Sequence, residues 1–113
     1  MMHGKIWGST SPILVTPLIE VHKIFVLPGG FCSKHKHEHK WNAFFVLDGH
    51  LEIWVNKTAY NLSDCTSLSD GHFTTVAPGE FHWFKAETEV NALEIYYLGP
   101  ITEDIIRTNV GGI

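Results

Sequence analysis

Residues 29–49 read GGFCSKHKHEHKWNAFFVLDG, and this stretch decides the fold. It joins a Gly-Gly turn to three closely spaced histidines, His35, His37 and His39, and then to an apolar run that ends at Asp48-Gly49. In an extended chain residues i and i+2 point to the same face, with Cα atoms about 6–7 Å apart. The imidazoles of His35 and His37 are therefore placed to converge on one cation.

Short segments rich in β-branched and aromatic residues flank this stretch, and turn signals separate them roughly every 8–12 residues. Residues 51–55 alternate cleanly, with Leu51, Ile53 and Val55 on one face. Many short strands at such a spacing are typical of a sandwich or barrel, so we predict one all-β domain over residues 1–113. The predicted strands are 21–27, 42–47, 51–55, 72–76, 81–85 and 90–98. The predicted turns are Pro28-Gly29-Gly30, Asp48-Gly49, Asn56-Lys57, Ser69-Asp70-Gly71, Ala77-Pro78-Gly79 and Gly99-Pro100.

Two local signals add detail to this all-β prediction. Asp48-Gly49 lies between two apolar runs, a pattern that favours a hairpin. Near the C-terminus, Thr102 followed by Glu103-Asp104, with Gly111-Gly112 beyond, predicts a short capped helical turn.

Composition excludes several classes of protein. The chain has 113 residues and a formal charge of −4, which argues against binding along a nucleic-acid backbone, since such binding rests on clustered Lys and Arg. No apolar run approaches the roughly 20 residues of a membrane span, and the N-terminal residues lack a signal-like apolar stretch, so we expect a cytoplasmic protein. Cys32 and Cys65 form neither a disulfide framework nor a CxxC pair. Cys32, three residues before His35, is either a ligand or redox group or simply a small buried apolar side chain.

A third metal ligand must come from elsewhere in the chain, and His82 follows a Pro-Gly turn before an alternating segment. The alternative is that HKHEHK at residues 35–40 is a solvated polar loop with no function. Imidazole ligands suit Zn, Cu, Fe or Ni, whereas Mg and Ca prefer oxygen. We therefore expect a divalent transition metal (Zn, Ni, Fe, Mn or Co).

The spacing of glycines and histidines resembles the two signature motifs of the cupin superfamily. The first motif runs Gly, five residues, His-x-His, three or four residues, Glu, six residues, Gly; here its positions hold Gly29, His35, His37, Asn42 and Gly49. The second motif runs Gly, five residues, Pro-x-Gly, two residues, His; here its positions hold Gly71, Ala77-Pro78-Gly79 and His82. The resemblance implies a double-stranded β-helix, or jelly-roll barrel. It also implies a metal held by His35, His37, Asn42 and His82.

Asn42 departs from the cupin pattern, because the family usually has a Glu ligand there. An amide oxygen can ligate a metal, but it is neutral and weaker than a carboxylate. The alternative is that Asn42 only hydrogen-bonds His37 or a strand backbone. Glu38 and Glu52 are other sources of a carboxylate, although Glu38 points away from His37 in a regular strand.

Within the cupins the chain is similar to the isomerase domain of type II mannose-6-phosphate isomerases, a domain that often follows a mannose-1-phosphate guanylyltransferase. Residues 5–9 resemble the opening Arg-Pro-Trp-Gly-Ser of that domain, and residues 21–30 resemble its strand and Pro-Gly turn. Residues 33–42 cover its histidine cluster, and residues 103–107 resemble its closing acidic-Asp-Ile-x-Arg segment. The chain departs from this pattern at three positions: His35 stands for Gln, Lys40 for Arg and Asn42 for Glu.

This resemblance implies isomerisation of a phosphorylated sugar through an enediolate. Glu94, on the last predicted strand, is our candidate base, and Lys40, Arg107 or Lys85 are candidates to hold the phosphate. Two other functions stay open: a non-catalytic cupin that binds a sugar or another small ligand, and a three-His metal-dependent dioxygenase. His3, His22, His50 and His72 fit no ligand spacing.

We also predict a homodimer. Trp54 faces away from Leu51, Ile53 and Val55, so it is expected outside the barrel, where an interface would cover it. Small cupins often dimerise, and edge strands need covering.

Overall fold

Antiparallel strands in two sheets make up the fold. The computed structural model describes residues 1–57, 62–99 and 101–113, which contain nine strands. The strands are β1 (His3–Lys5), β2 (Gly8–Val15), β3 (Ile19–Val26), β4 (Trp41–Asp48), β5 (Leu51–Lys57), β6 (Leu62–Leu68), β7 (Phe73–Val76), β8 (His82–Ala86) and β9 (Val90–Tyr97). The larger sheet has the order β1-β2-β3-β9-β4-β7, and the smaller sheet has the order β6-β5-β8.

The core lies between the two sheets, because alternate residues of strands such as β4, β5 and β8 point inward. Its buried side chains are Ile24, Val26, Cys32, Phe44, Val46, Leu51, Ile53, Leu68, Val76, Phe84, Ala86, Val90 and Ala92. Leu51 and Ile53 are buried on the same face of β5, as the alternation predicts, and Val55 packs against this core. The predicted all-β jelly-roll class is confirmed.

All six predicted strands are present, with ends that differ by at most two residues. Strands β1, β2 and β6 were not predicted. The sequence of β6, LSDCTSL, is polar, and its residues are exposed except Leu68, so it lacks an apolar alternation. The Gly99-Pro100 turn is described at Gly99 alone, since Pro100 lies outside the described residues.

The predicted C-terminal helical turn is wrong. Residues 101–113 form no helix and all of them are exposed, so no apolar face of this segment packs against the barrel. A short helix without tertiary packing is marginal in water, and the capping signal at Thr102 is too weak to offset that cost. Across the described ranges, no helix is long and apolar enough to span a membrane.

The predicted hairpin at Asp48-Gly49 is also wrong, because β4 and β5 belong to different sheets. The two residues form a corner between the sheets instead. Gly49 has a φ of 107°, and a Cβ atom there would lie 2.3 Å from the carbonyl oxygen of Glu89. Its amide donates a hydrogen bond to Asp70 Oδ1 at 2.9 Å. The glycine is needed where the corner passes close to the chain entering β9.

We expect Gly49→Ala to lower the free energy of unfolding by about 3 kcal/mol, through backbone strain and overpacking. Gly71→Ala is the matched control: Gly71 also has a positive φ, of 79°, but no neighbouring atom lies within 4 Å of its added Cβ. That variant should lose only about 1 kcal/mol. Urea unfolding of both proteins measures the difference, and equal losses would show that contact with Glu89 is unimportant.

Candidate metal centre

The segment that carries the predicted ligands is fixed to β8 by backbone hydrogen bonds. His35 N donates to His82 O at 3.0 Å, and His82 N donates to His35 O at 2.8 Å. Further along, Gly79 N donates to the carbonyl of His37 at 2.7 Å, so the Pro-Gly turn before β8 also holds the segment. The two motifs are thus joined through their backbones, and their inward side chains meet.

His35, His37 and His82 form a cluster whose candidate ligand nitrogens all lie within 4.8 Å of one another. The ring centroids are 4.5 Å apart for His35 and His82, 5.1 Å for His35 and His37, and 5.6 Å for His37 and His82. His82 is buried, and the other two rings are half-buried. Three histidines are therefore positioned to bind a metal ion, as the spacing predicts.

The hydrogen bonds of the rings leave nitrogen lone pairs free for a cation. Nδ1 of His35 lies 2.7 Å from Ser33 O, and Nδ1 of His82 lies 3.0 Å from Glu80 O. A carbonyl only accepts, so each Nδ1 carries the proton, and in the neutral ring Nε2 keeps its lone pair. Nε2 of His37 is buried and has no hydrogen-bond partner among the residues described. The donor set fits a metal ion.

Burial and the two neighbouring rings lower the pKa of His37 to about 4. Burial also lowers the pKa of His82. Both rings are therefore neutral near pH 7, the state in which imidazole ligates a metal.

Asn42 lies beside the cluster and is buried. Its Nδ2 donates to the backbone carbonyl of Ile95 at 3.3 Å, which directs Oδ1 towards His82 Nε2, 3.1 Å away. The neutral His82 ring has one N–H, and this N–H is directed at the carbonyl of Glu80. It therefore has no proton to donate from Nε2 to Asn42 Oδ1. The amide oxygen and the imidazole lone pair thus face each other, an arrangement that a shared cation resolves.

The other polar residues weighed as ligands lie outside the cluster. His39 and Glu38 are exposed, and Glu52 accepts a hydrogen bond from Trp54 Nε1 at 3.4 Å. Cys32 is buried, its Sγ accepts a hydrogen bond from Phe84 N, and burial raises the pKa of its thiol to about 11. Cys32 is therefore a protonated core side chain.

A cavity of about 910 Å³ opens beside the cluster, and His35 belongs to both. Glu94 and Tyr96 of β9 line this cavity, as do His22 of β3 and Lys5 of β1. Glu94 was predicted as a site residue; the other three were missed. His22 and Lys5 lie in segments that resemble the isomerase domain, but neither was predicted as a site residue. The signal that would have identified His22 is its position two residues before the buried Ile24 on the inward face of β3.

Burial raises the pKa of the Glu94 carboxyl, although Tyr96 and the nearby His35 and His22 favour its charged form. Burial and Glu94 together raise the pKa of Tyr96, which therefore stays a phenol. A half-buried carboxyl with a raised pKa beside a histidine cluster is typical of a group that exchanges protons with a ligand.

The structure does not bring the three predicted phosphate-binding residues to this cavity. Lys40 pairs with Glu20 at 3.3 Å and lies 5.5 Å from the centroid of the Tyr96 ring. Arg107 is in the exposed C-terminal segment. Lys85 is exposed on β8.

An antiparallel jelly roll with inward histidines on two adjoining segments defines a class of small barrels built around an internal site. The chain belongs to one family of that class, the cupins: the family described as "Cupin domain" matches residues 23–98.

Two proteins named mannose-1-phosphate guanylyltransferase resemble the chain in sequence. The one from Escherichia coli is 31% identical over 106 residues, which cover 89% of this chain and 21% of that protein. The one from Klebsiella pneumoniae is 30% identical over the same length. This chain therefore spans about one fifth of the length of these curated relatives.

Solved structures share the fold at low sequence identity. KdgF from a Halomonas species has a TM-score of 0.75 at 15% identity, with 88% of this chain and 87% of that chain covered. An oxalate decarboxylase from Lactobacillus farciminis, in a formate complex, has a TM-score of 0.75 at 20% identity, with 93% and 32% covered.

We expect protein purified without chelator and reconstituted with Zn²⁺ to hold close to one metal ion per chain, and His37→Ala to lose it, since one of three imidazole donors is removed. His39→Ala is the matched control, because His39 lies in the same segment but is exposed. Elemental analysis after desalting measures the metal content. Equal metal content in the two variants would contradict a site at this cluster.

Proposed function

We propose that the chain is a metal-dependent isomerase of a phosphorylated sugar, of the mannose 6-phosphate type. The observation that carries the proposal is the position of Glu94, whose carboxyl lines the cavity that His35 also lines. Similarity to part of two mannose-1-phosphate guanylyltransferases supports a sugar phosphate as the ligand. The proposed metal ligands are His35, His37 and His82.

Asn42 is the proposed fourth ligand, through Oδ1. The hydrogen bond from its Nδ2 to Ile95 O holds the amide in that orientation. When bound, a divalent transition metal in this site would polarise the sugar carbonyl and stabilise the developing oxyanion.

Glu94 is the proposed base for the carbon-bound proton. As a carboxylate it takes the proton from C2 of the aldose, and as the acid it returns that proton to C1 of the enediolate, giving the ketose. Proton transfer between O2 and O1 completes the isomerisation. Apolar side chains such as Trp7 and Phe84 line the same cavity and offer the sugar ring an apolar surface.

The size of the cavity supports a sugar-sized ligand. Its volume of about 910 Å³ falls in the range of roughly 300–1,000 Å³ typical of small-molecule sites.

The phosphate-binding roles of Lys40 and Arg107 stay predictions. So do the homodimer and the cytoplasmic location. Trp54 lies outside the barrel, stacked on Trp83 with ring centroids 5.6 Å apart.

We expect the metal-loaded protein to interconvert mannose 6-phosphate and fructose 6-phosphate, and Glu94→Gln to reduce kcat by about 10²–10⁴-fold, the usual contribution of a general base. Glu89→Gln, an exposed carboxylate just before β9, is the control and should keep full activity. A coupled assay for fructose 6-phosphate measures both.

Two results would contradict the isomerase assignment, and a third would contradict the role of Glu94 within it. No turnover by the metal-loaded wild type, combined with measurable sugar binding, would favour a non-catalytic binding cupin. Oxygen uptake without isomerisation would favour a dioxygenase. Full activity of Glu94→Gln would remove Glu94 as the base.

We expect Asn42→Asp to tighten Zn²⁺ binding at least about tenfold, because a carboxylate adds a negative charge where the amide is neutral. Asn42→Leu should weaken it by about 10–100-fold, the range seen when a group around a metal is lost. Competition with a chromogenic chelator measures both affinities. If both variants bind Zn²⁺ as the wild type does, Asn42 is not a ligand.

A further inference from the structure

The cavity contains a cation that was not among the predicted site residues, although Lys5 stands at the Arg position of the Arg-Pro-Trp-Gly-Ser resemblance. Among the residues described, Lys5 is the one lysine or arginine that lines it. Lys5 takes part in none of the ion pairs found in the described ranges, whereas Lys40 is paired with Glu20 and Lys57 with Glu80. The ammonium group of Lys5 is therefore available to a ligand.

The β1–β2 hairpin places Lys5 at the cavity. Lys5 pairs with Gly8 across the tip of the β1–β2 hairpin. At that tip Trp7 packs edge-on against Phe84, with ring centroids 5.0 Å apart, and its carbonyl accepts a hydrogen bond from Leu27 N at 2.8 Å. The hairpin is thus anchored to the core through Trp7, and it carries Lys5 to the cavity.

The cavity combines two different binding groups on separate segments. The β1–β2 hairpin supplies Lys5, and the segment paired with β8 supplies His35 of the histidine cluster. Glu94 is the one acidic residue in the described lining. Although the chain has a formal charge of −4, the lining does not share that excess of negative charge. An anionic ligand is not repelled locally.

We infer that Lys5 binds the anionic group of a polyhydroxylated ligand, a phosphate or a carboxylate, while the other end of the ligand reaches His35. This inference deepens the proposed function, on which the choice of a sugar as ligand rests. An ammonium group binds phosphate and carboxylate by the same charge-assisted hydrogen bonds. The position of Lys5 therefore indicates an anionic group on the ligand, and either anion would satisfy it.

Calorimetric titration of the metal-loaded protein with mannose 6-phosphate, glucuronate and mannose tests the inference. We expect at least one anionic sugar to bind about tenfold or more tightly than mannose, the usual effect of a hydrogen bond to a charged group. Lys5→Met should abolish this preference, and Lys5→Arg should keep it. Lys23→Met, an exposed lysine on the outer face of β3, is the matched control and should also keep it.

Each outcome has a defined meaning. A preference for mannose 6-phosphate assigns a phosphate to Lys5, and a preference for glucuronate assigns a carboxylate. Equal binding of mannose by the wild type, or a preference that survives in Lys5→Met, overturns the inference. The assay is independent of turnover: if isomerisation fails but Lys5→Met still loses the preference, the proposed function is wrong and the Lys5 assignment stands.

Discussion

The pair of backbone hydrogen bonds between His35 and His82 is the contact on which the site depends. Residues 31–35 form no regular strand, yet isolated bridges at Phe31 and His35 align them with β8 at the edge of the smaller sheet. This pairing places two imidazoles from distant parts of the sequence at 4.5 Å. It also closes the core, since Cys32 of the same segment donates its N–H to the buried Phe84. The same backbone contacts therefore close the barrel and bring the cluster together.

The inward-facing side chains of β3 and β9 change from apolar to polar along each strand. The register between the two strands decides which of these side chains lie side by side. On β3 the inward positions run from Val26 and Ile24 to His22 and Glu20, and β9 runs alongside it from Val90 and Ala92 to Glu94 and Tyr96. Cross-strand partners thus belong to the same layer: His22 lies opposite Glu94, and Ile24 lies opposite Ala92. The apolar layer stabilises the barrel, and His22, Glu94 and Tyr96 of the polar layer line the cavity.

The sequence predicts the members of the cluster because each lies in a local signal, and the resemblance to the two cupin motifs implies that they meet. Alternation places His35 and His37 on one face, and the Pro-Gly turn places His82 at the start of a strand. Which residues line the cavity is a different problem, because that depends on pairing between strands far apart in the chain. His22 fits no ligand spacing, and its register opposite Glu94 places it at the cavity. Lys5 lies at the cavity because Trp7 packs the β1–β2 hairpin against the core. The prediction of a hairpin at Asp48-Gly49 is wrong for the same reason, because a turn signal does not show which sheet the next strand joins.

Asn42 leaves the histidine cluster without the carboxylate that the cupin pattern usually has at this position. In the usual cupin pattern a carboxylate at this position would cancel one charge of a divalent ion, whereas three imidazoles and an amide cancel none. The nearest carboxyl in the cavity lining is instead on β9, where Glu94 pairs with Phe44, two residues beyond Asn42. A carboxyl in that position is free to accept a proton, which a metal-bound carboxylate is not. Under the proposed function, the substitution that weakens the resemblance to the family would leave Glu94 as the base, and the charge of a bound divalent ion would stay uncancelled for an anionic ligand.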